Sequence, residues 1–247
     1  MIEAVTFDYW DTLVSEGDGI DAEEEGSMRE GQRRRWSSIL AEAGTPFDDR
    51  AIERAFDRNW EVFHERWRSN VQHGPPEATP VICDVLGVDP ADDVRSALVA
   101  SFAEAGREGP LRLAGSVEPT LRFLREAGVR IGIVCDVGMT SSPTLRERLD
   151  TFGVLELFDH WSFSDEVGCF KPWPGVFQHA LDGLGVSDPA RAAHVGDSRR
   201  TDVAGALAMG MIAVRYTGFS DDPPTSGPEA DHVLDDLAKV SAALGVV

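Results

Sequence analysis

The sequence predicts an α/β protein, a parallel sheet flanked by helices and interrupted after its first strand by an inserted all-helical domain. Three observations carry this. A buried-strand pattern, IEAVTF, occupies residues 2–7; from Met28 to about Gly106 the pattern is helical throughout; after Pro110 strand and helix patterns alternate one for one.

IEAVTF is apolar and β-branched enough for a short buried strand, and a polar, acidic, Gly-containing segment follows from Ser15 to Gly26. RRRWSSILAEAG ends at Gly44, and DDRAIERAFDRNWEVFHERW, ATPVICDVLG and PADDVRSALVASFAEAG supply three more helical patterns. Beyond Pro110 come VEPTLRFLREAG (helix), VRIGIVCD (strand), PTLRERLDTFG (helix) and HWSFSDE (short strand). KPWPGVFQHALDGLG is a helix with prolines in its first turn, AAHVGD a strand, TDVAGALAMG a helix, MIAVRYTG a strand and DHVLDDLAKV a closing element. Strands joined by single helices imply right-handed crossovers and a parallel sheet. The severed first strand must pair with something, and the economical solution is the same sheet. The expected domains are therefore a core of residues 1–14 plus 111–247 and a helical cap of residues 15–110, standing over the carboxyl edge of the sheet.

The composition excludes several classes. A net charge of −20 over 247 residues repels a phosphate backbone, so nucleic acid is not an expected partner. A small anionic substrate meets the same repulsion, so its site must bring a metal ion or clustered cations. No apolar run is long enough for a membrane span, and Cys83, Cys135 and Cys169 have neither disulfide nor zinc spacing. The chain reads as soluble and cytoplasmic. His64, His73, His160, His179, His194 and His232 have no metal-ligand spacing, His194 simply ending a strand, and no nucleotide-binding loop is present.

Ligands of open parallel sheets bind outside the carboxyl ends of the strands. Those ends carry Asp8, Asp11 and Thr12; Cys135 and Asp136; Lys171; and Asp197, Ser198 and Asp202. Singly, each has an ordinary meaning as a turn residue, a solvated lysine or a helix cap. Together, three carboxylates and a lysine on one edge suit a divalent metal and a phosphoryl group. A carboxylate such as Asp8 can attack phosphorus and divide hydrolysis into two steps. Mg²⁺ takes oxygen ligands, for which Asp8, a backbone carbonyl and Asp197 suffice. Lys171 would neutralise charge on the transferring group, and Thr12, Cys135 and backbone N–H groups would hold its oxygens.

FDYWDTL, GIVCDVG, CFKPWPGVF and HVGDSRRTDVAGALAMGM resemble the four motifs of the haloacid dehalogenase-like superfamily, in the subgroup whose helical cap follows the first strand. The resemblance implies a Rossmann-like core with an inserted helical cap. It implies Asp8 as nucleophile and metal ligand, a Trp10 backbone carbonyl and Asp197 as further ligands, and Asp202 as a metal ligand or an acid on metal-bound water. Thr12, Cys135 and Asp136 fall at phosphate-pocket positions, and Lys171 is the charge-neutralising lysine.

The chain departs from that pattern at residue 10. The superfamily's phosphatases have a second aspartate there, which protonates the leaving alcohol; Trp10 cannot. Asp11 is the substitute in reach, although one residue along an extended backbone turns a side chain to the other face. Dehalogenases carry an aromatic at that place, since halide leaves unprotonated, but they need no metal and lack the acidic pair kept here as Asp197 and Asp202. Cys135 replaces the usual Ser or Thr. Of the cap arginines Arg29, Arg33, Arg34 and Arg35, most pair with the preceding DAEEEG, while Arg33 and Arg34 are candidates for binding the substrate anion. The expected function is Mg²⁺-dependent hydrolysis of a small phosphorylated metabolite. A metal-independent 2-haloacid dehalogenase and a weakly active binding or regulatory protein are the alternatives.

Overall fold

The computed structural model describes residues 1–16 and 27–247; most of the acidic segment from Ser15 to Gly26, and with it DAEEEG, lies outside the described residues. The chain divides into two compact units. One comprises Met1–Ser15, Arg112–Asp136 and Leu149–Val247; the other comprises Glu16–Leu111 and Val137–Arg148.

The first unit is built on a six-stranded sheet. Its strands are β1 (Ala4–Phe7), β4 (Arg130–Cys135), β5 (His160–Phe163), β6 (Ala192–Gly196), β7 (Ile212–Tyr216) and β8 (His232–Leu234). Their order across the sheet is β5-β4-β1-β6-β7-β8, and every neighbouring pair is parallel. The severed first strand thus lies at the centre, between β4 and β6, where its four residues are all buried and need no polar face. Helices Val117–Glu126, Pro174–Gly183 and Ala204–Met209 alternate with the strands. Val176, Phe177, Ala180 and Leu181 pack against Val134, Ala192 and Ala213 to fill the core on one face. Residues Arg199–Val203 form a π-helical turn ahead of Ala204–Met209, a more local departure than the plain helix expected of TDVAGALAMG.

Among the described residues, the second unit includes helices α1 (Met28–Glu42), α2 (Asp49–Arg68), α3 (Pro75–Leu86) and α4 (Asp92–Glu108). Ser27 and Glu30 form a reciprocal capping box at the start of α1. Trp36, Leu40, Ile52, Phe56 and Phe102 make its core, with Trp36 edge-on to Phe56 at 5.6 Å.

Two features depart from expectation. Val14–Glu16 (β2) and Leu111–Leu113 (β3) form a small two-stranded sheet that three-residue segments do not announce. Val137–Arg148, expected with the core, packs inside the helical unit. Gly138 lies under Phe63, where a Cβ would come within 3.1 Å of the ring, Met139 joins the helical core, and Arg107 pairs with Glu147 at 2.5 Å. No described helix is long and apolar enough to cross a membrane.

Candidate active site

Register places the site. Phe7 pairs with Ile133 of β4 and with Val195 of β6, and the Asp8 N–H donates to the Val195 carbonyl at 2.8 Å. Asp8, Cys135 and Asp197 therefore leave three adjacent strands at nearly the same level, where the ladder ends. Asp8 is buried and Asp197 half-buried.

Lys171 completes the group. Its Nζ donates to Asp8 Oδ1 at 2.5 Å and to Asp202 Oδ1 at 2.6 Å, and all three residues are buried. Its backbone N–H donates to Asp136 Oδ1 at 2.8 Å, so Asp136 braces the lysine's own chain. The chain contains two lysines, Lys171 and Lys239, against 21 arginines (23 Lys+Arg less those two). A compact ammonium is kept where a point charge between carboxylates is needed.

Asp202 is saturated with donors. Oδ1 accepts from Lys171 and from His194 Nε2 at 3.0 Å, and Oδ2 accepts from the Ser198 N–H at 3.0 Å. Gly196 makes room for it, because a Cβ there would stand 2.3 Å from the Asp202 carboxyl carbon. His194 thus does more than end a strand. Neither its role nor Thr6's was legible in the motifs; the alternation that puts His194 and Gly196 on one face is visible, but the pairing of His194 with Thr6 depends on register.

The segment after Asp8 is a tight turn, with the N–H groups of Leu13 and Val14 both donating to the Tyr9 carbonyl. Asp11 has φ 51°, so the premise of an extended backbone fails: the turn, not strand alternation, aims its side chain. The Asp11 carboxylate is exposed and accepts from Ser15 Oγ at 2.8 Å. Tyr9 is fully buried, and Trp10 stands edge-on to it with ring centres 4.9 Å apart. The Thr12 hydroxyl is buried and has no partner among the described residues. Cys135 is buried, and burial, reinforced by Asp8, pushes its thiol well above the ordinary range. Arg33 and Arg34 belong to the helical unit, where Arg33 pairs with Glu53 at 3.1 Å and Arg34 is exposed. Arg29 and Arg35 pair with Asp57, Glu104 and Glu108 of the same unit.

The model of the haloacid dehalogenase-like hydrolase family matches residues 2–210. The chain belongs to that family. This hydrolase is similar to the glyceraldehyde 3-phosphate phosphatase of Methanopyrus kandleri, with 30% identity over 87% of this chain and 84% of the relative. It is also similar to the glyceraldehyde 3-phosphate phosphatase of Methanothermobacter thermautotrophicus, with 27% identity over 99% of this chain and 100% of the relative. Among solved structures, the 2-haloacid dehalogenase of Pseudomonas syringae pv. Tomato shares the fold at TM-score 0.72 and 23% identity, covering 99% of each chain.

The charges of this hydrolase's site fit a dication. Carboxylate oxygens of Asp8, Asp197 and Asp202 lie within 4.8 Å of one another, the one such cluster among the described residues. Burial opposes the Lys171 charge, but Asp202 and Asp8 hold its ammonium well above the usual lysine range. Burial likewise opposes ionisation of Asp202, yet Lys171 and His194 hold it well below the usual carboxylate range. One ammonium cannot satisfy three carboxylates, two of them buried and one half-buried. Burial first, then Asp202, push Asp197 up to about 7, and burial, aided by Asp202 and Asp197, raises Asp8 despite Lys171. A hard cation with oxygen ligands would relieve that excess. With the Asp202 oxygens taken, Asp8 and Asp197 offer the freer ones.

Proposed function

We propose that this hydrolase is a Mg²⁺-dependent phosphatase for small phosphorylated metabolites, working through an aspartyl phosphate on Asp8. The observation that carries the reading is the buried Asp8–Lys171 pair at 2.5 Å with Asp197 in the same carboxylate cluster: a nucleophile, a charge neutraliser and a cation ligand, followed in the turn after Asp8 by the buried Thr12 hydroxyl as a donor for a phosphoryl oxygen. Two relatives named glyceraldehyde 3-phosphate phosphatases make three-carbon sugar phosphates the first substrates to try.

An Asp8 carboxylate oxygen attacks phosphorus, the bond to the leaving oxygen breaks with its electron pair, and the aspartyl phosphate forms. Lys171 and the Thr12 hydroxyl hold the phosphoryl oxygens in this step. Water then attacks phosphorus, loses a proton, and releases inorganic phosphate and the Asp8 carboxylate. Mg²⁺, held by Asp8, Asp197 and the Trp10 backbone carbonyl, would neutralise phosphoryl charge. The leaving alkoxide needs a proton that the Trp10 indole cannot give, so esters of acidic alcohols and acyl phosphates are favoured over alkyl phosphates. Asp11 is the carboxyl nearest in sequence able to assist. A dehalogenase would place a carboxylate substrate beside Asp8, Asp197 and Asp202, which repel it.

Wild type and Asp8→Asn are to be compared on a phosphate-ester panel led by glyceraldehyde 3-phosphate, with and without Mg²⁺. Mg²⁺-dependent phosphate release is expected from wild type, falling about a thousandfold or more in the variant. Equal rates in both would overturn the reading. Trp10 favours one further possibility, a phosphoryl-Asp8 that forms and persists; trapping it by mass spectrometry while seeing no turnover would identify a binding or regulatory protein.

A further inference from the structure

We propose that His194 is a positioning residue, which fixes the Asp202 carboxylate and through it the Lys171 ammonium that faces Asp8. The proposal rests on the phosphatase reading for its kinetic consequence alone; its structural content is independent.

The chain of contacts is continuous and buried. Thr6 of β1 and His194 of β6 are register partners, so their side chains rise side by side from one face of the sheet. Thr6 Oγ1 lies 2.9 Å from His194 Nδ1, and His194 Nε2 lies 3.0 Å from Asp202 Oδ1. The same Asp202 oxygen accepts from Lys171 Nζ at 2.6 Å, and Lys171 reaches Asp8 at 2.5 Å. Thr6, His194, Lys171 and Asp202 are each 3% exposed or less, so water cannot substitute for a lost partner.

The partners assign the ring's tautomer. Ionised Asp202 only accepts, so Nε2 carries the proton. Nδ1 is then an acceptor and takes a hydrogen bond from the Thr6 hydroxyl, the Ala193 carbonyl lying farther from that oxygen at 3.3 Å. Phe177 packs edge-on against the ring, centres 5.1 Å apart and planes at 90°. Asp202 Oδ2 is held separately by the Ser198 N–H. The carboxylate is thus gripped at both oxygens, one from the loop that carries it and one from a central strand. His194 supplies the second grip and prevents Asp202 from following Lys171 when the lysine leans toward a phosphoryl group.

The test uses the metal-free protein labelled with ¹⁵N-lysine, because the chain's two lysines make assignment direct: Lys171 is buried and Lys239 exposed. Wild type should show one slowly exchanging ammonium resonance, from Lys171. His194→Phe keeps the ring's shape and removes the N–H; His194→Gln keeps an N–H donor at the place of Nε2. The Phe variant is expected to fold with a wild-type circular dichroism spectrum, lose or broaden the Lys171 resonance, and drop kcat about 10-fold or more with KM little changed. The Gln variant should recover the resonance and most of kcat. A sharp Lys171 resonance in His194→Phe, or identical losses in two folded variants, overturns the proposal. Should the Phe variant not fold, Thr6→Val carries the same expectation of a broadened Lys171 resonance, and a wild-type signal there overturns it. A wild type without phosphatase turnover would sink the functional reading, while the resonances would still decide the role of His194.

Discussion

The backbone N–H of Lys171 donates to the carboxylate of Asp136 at 2.8 Å, joining the loop after β4 to the loop that delivers the site's one lysine. Asp136→Ala should therefore loosen Lys171 and lower kcat about 10-fold, while Asp136→Asn, which keeps an acceptor oxygen, should stay near wild type. Steady-state kinetics on the best substrate of the panel reads the difference. Equal kinetics in all three proteins would mean that the brace is dispensable.

Trp10 predicts an unusual dependence on the leaving group. Wild-type rates should fall steeply as the leaving alcohol becomes less acidic, whereas Trp10→Asp should flatten that dependence and raise alkyl-phosphate turnover about a hundredfold. Asp11→Asn added to Trp10→Asp shows whether Asp11 assists: a loss in the wild-type background that vanishes in the Trp10→Asp background would place Asp11 as the substitute acid.

Gly196 predicts a steric result. A Cβ there would lie 2.3 Å from the Asp202 carboxyl carbon, inside contact distance. Gly196→Ala should destabilise by about 1–3 kcal/mol and displace Asp202, with loss of activity larger than the same loss of stability causes elsewhere in the core. Urea unfolding beside turnover measurements checks both.

His73 predicts acid sensitivity of the helical unit. It is 1% exposed, with Nε2 2.8 Å from Asn59 Oδ1, and burial, with Arg66 adding, lowers it to about 4 from an ordinary 6.5. Because the folded state takes up this proton less readily than the unfolded chain, stability is full above pH 6.5. It then declines as the pH falls toward 4, by about 3 kcal/mol at most (2.5 pH units at 1.36 each). Denaturant titrations at pH 7, 5.5 and 4.5 should show the slope in wild type and a shallower one in His73→Gln. Parallel slopes would assign the acid sensitivity to other groups.

Much of this molecule was legible along the chain. Apolar runs such as AVTF and RIGIVC, bounded by turn residues, identify buried strands because side-chain alternation and turn chemistry are local properties. The same holds for the helices and for the placing of Asp8 and Asp197 just past the ends of strands. What no local pattern contains is which strands are neighbours and in what register. Tertiary structure alone brought Lys171 across 163 positions to Asp8, set His194 beside Thr6, turned Asp11 into a left-handed turn, and drew Val137–Arg148 into the helical unit. Pairing, desolvation and mutual charge are long-range: burial made Asp202 a saturated anchor and left Asp8 and Asp197 with the excess negative charge. Residue types determined which charged and polar groups were available, and their packing decided which of them meet.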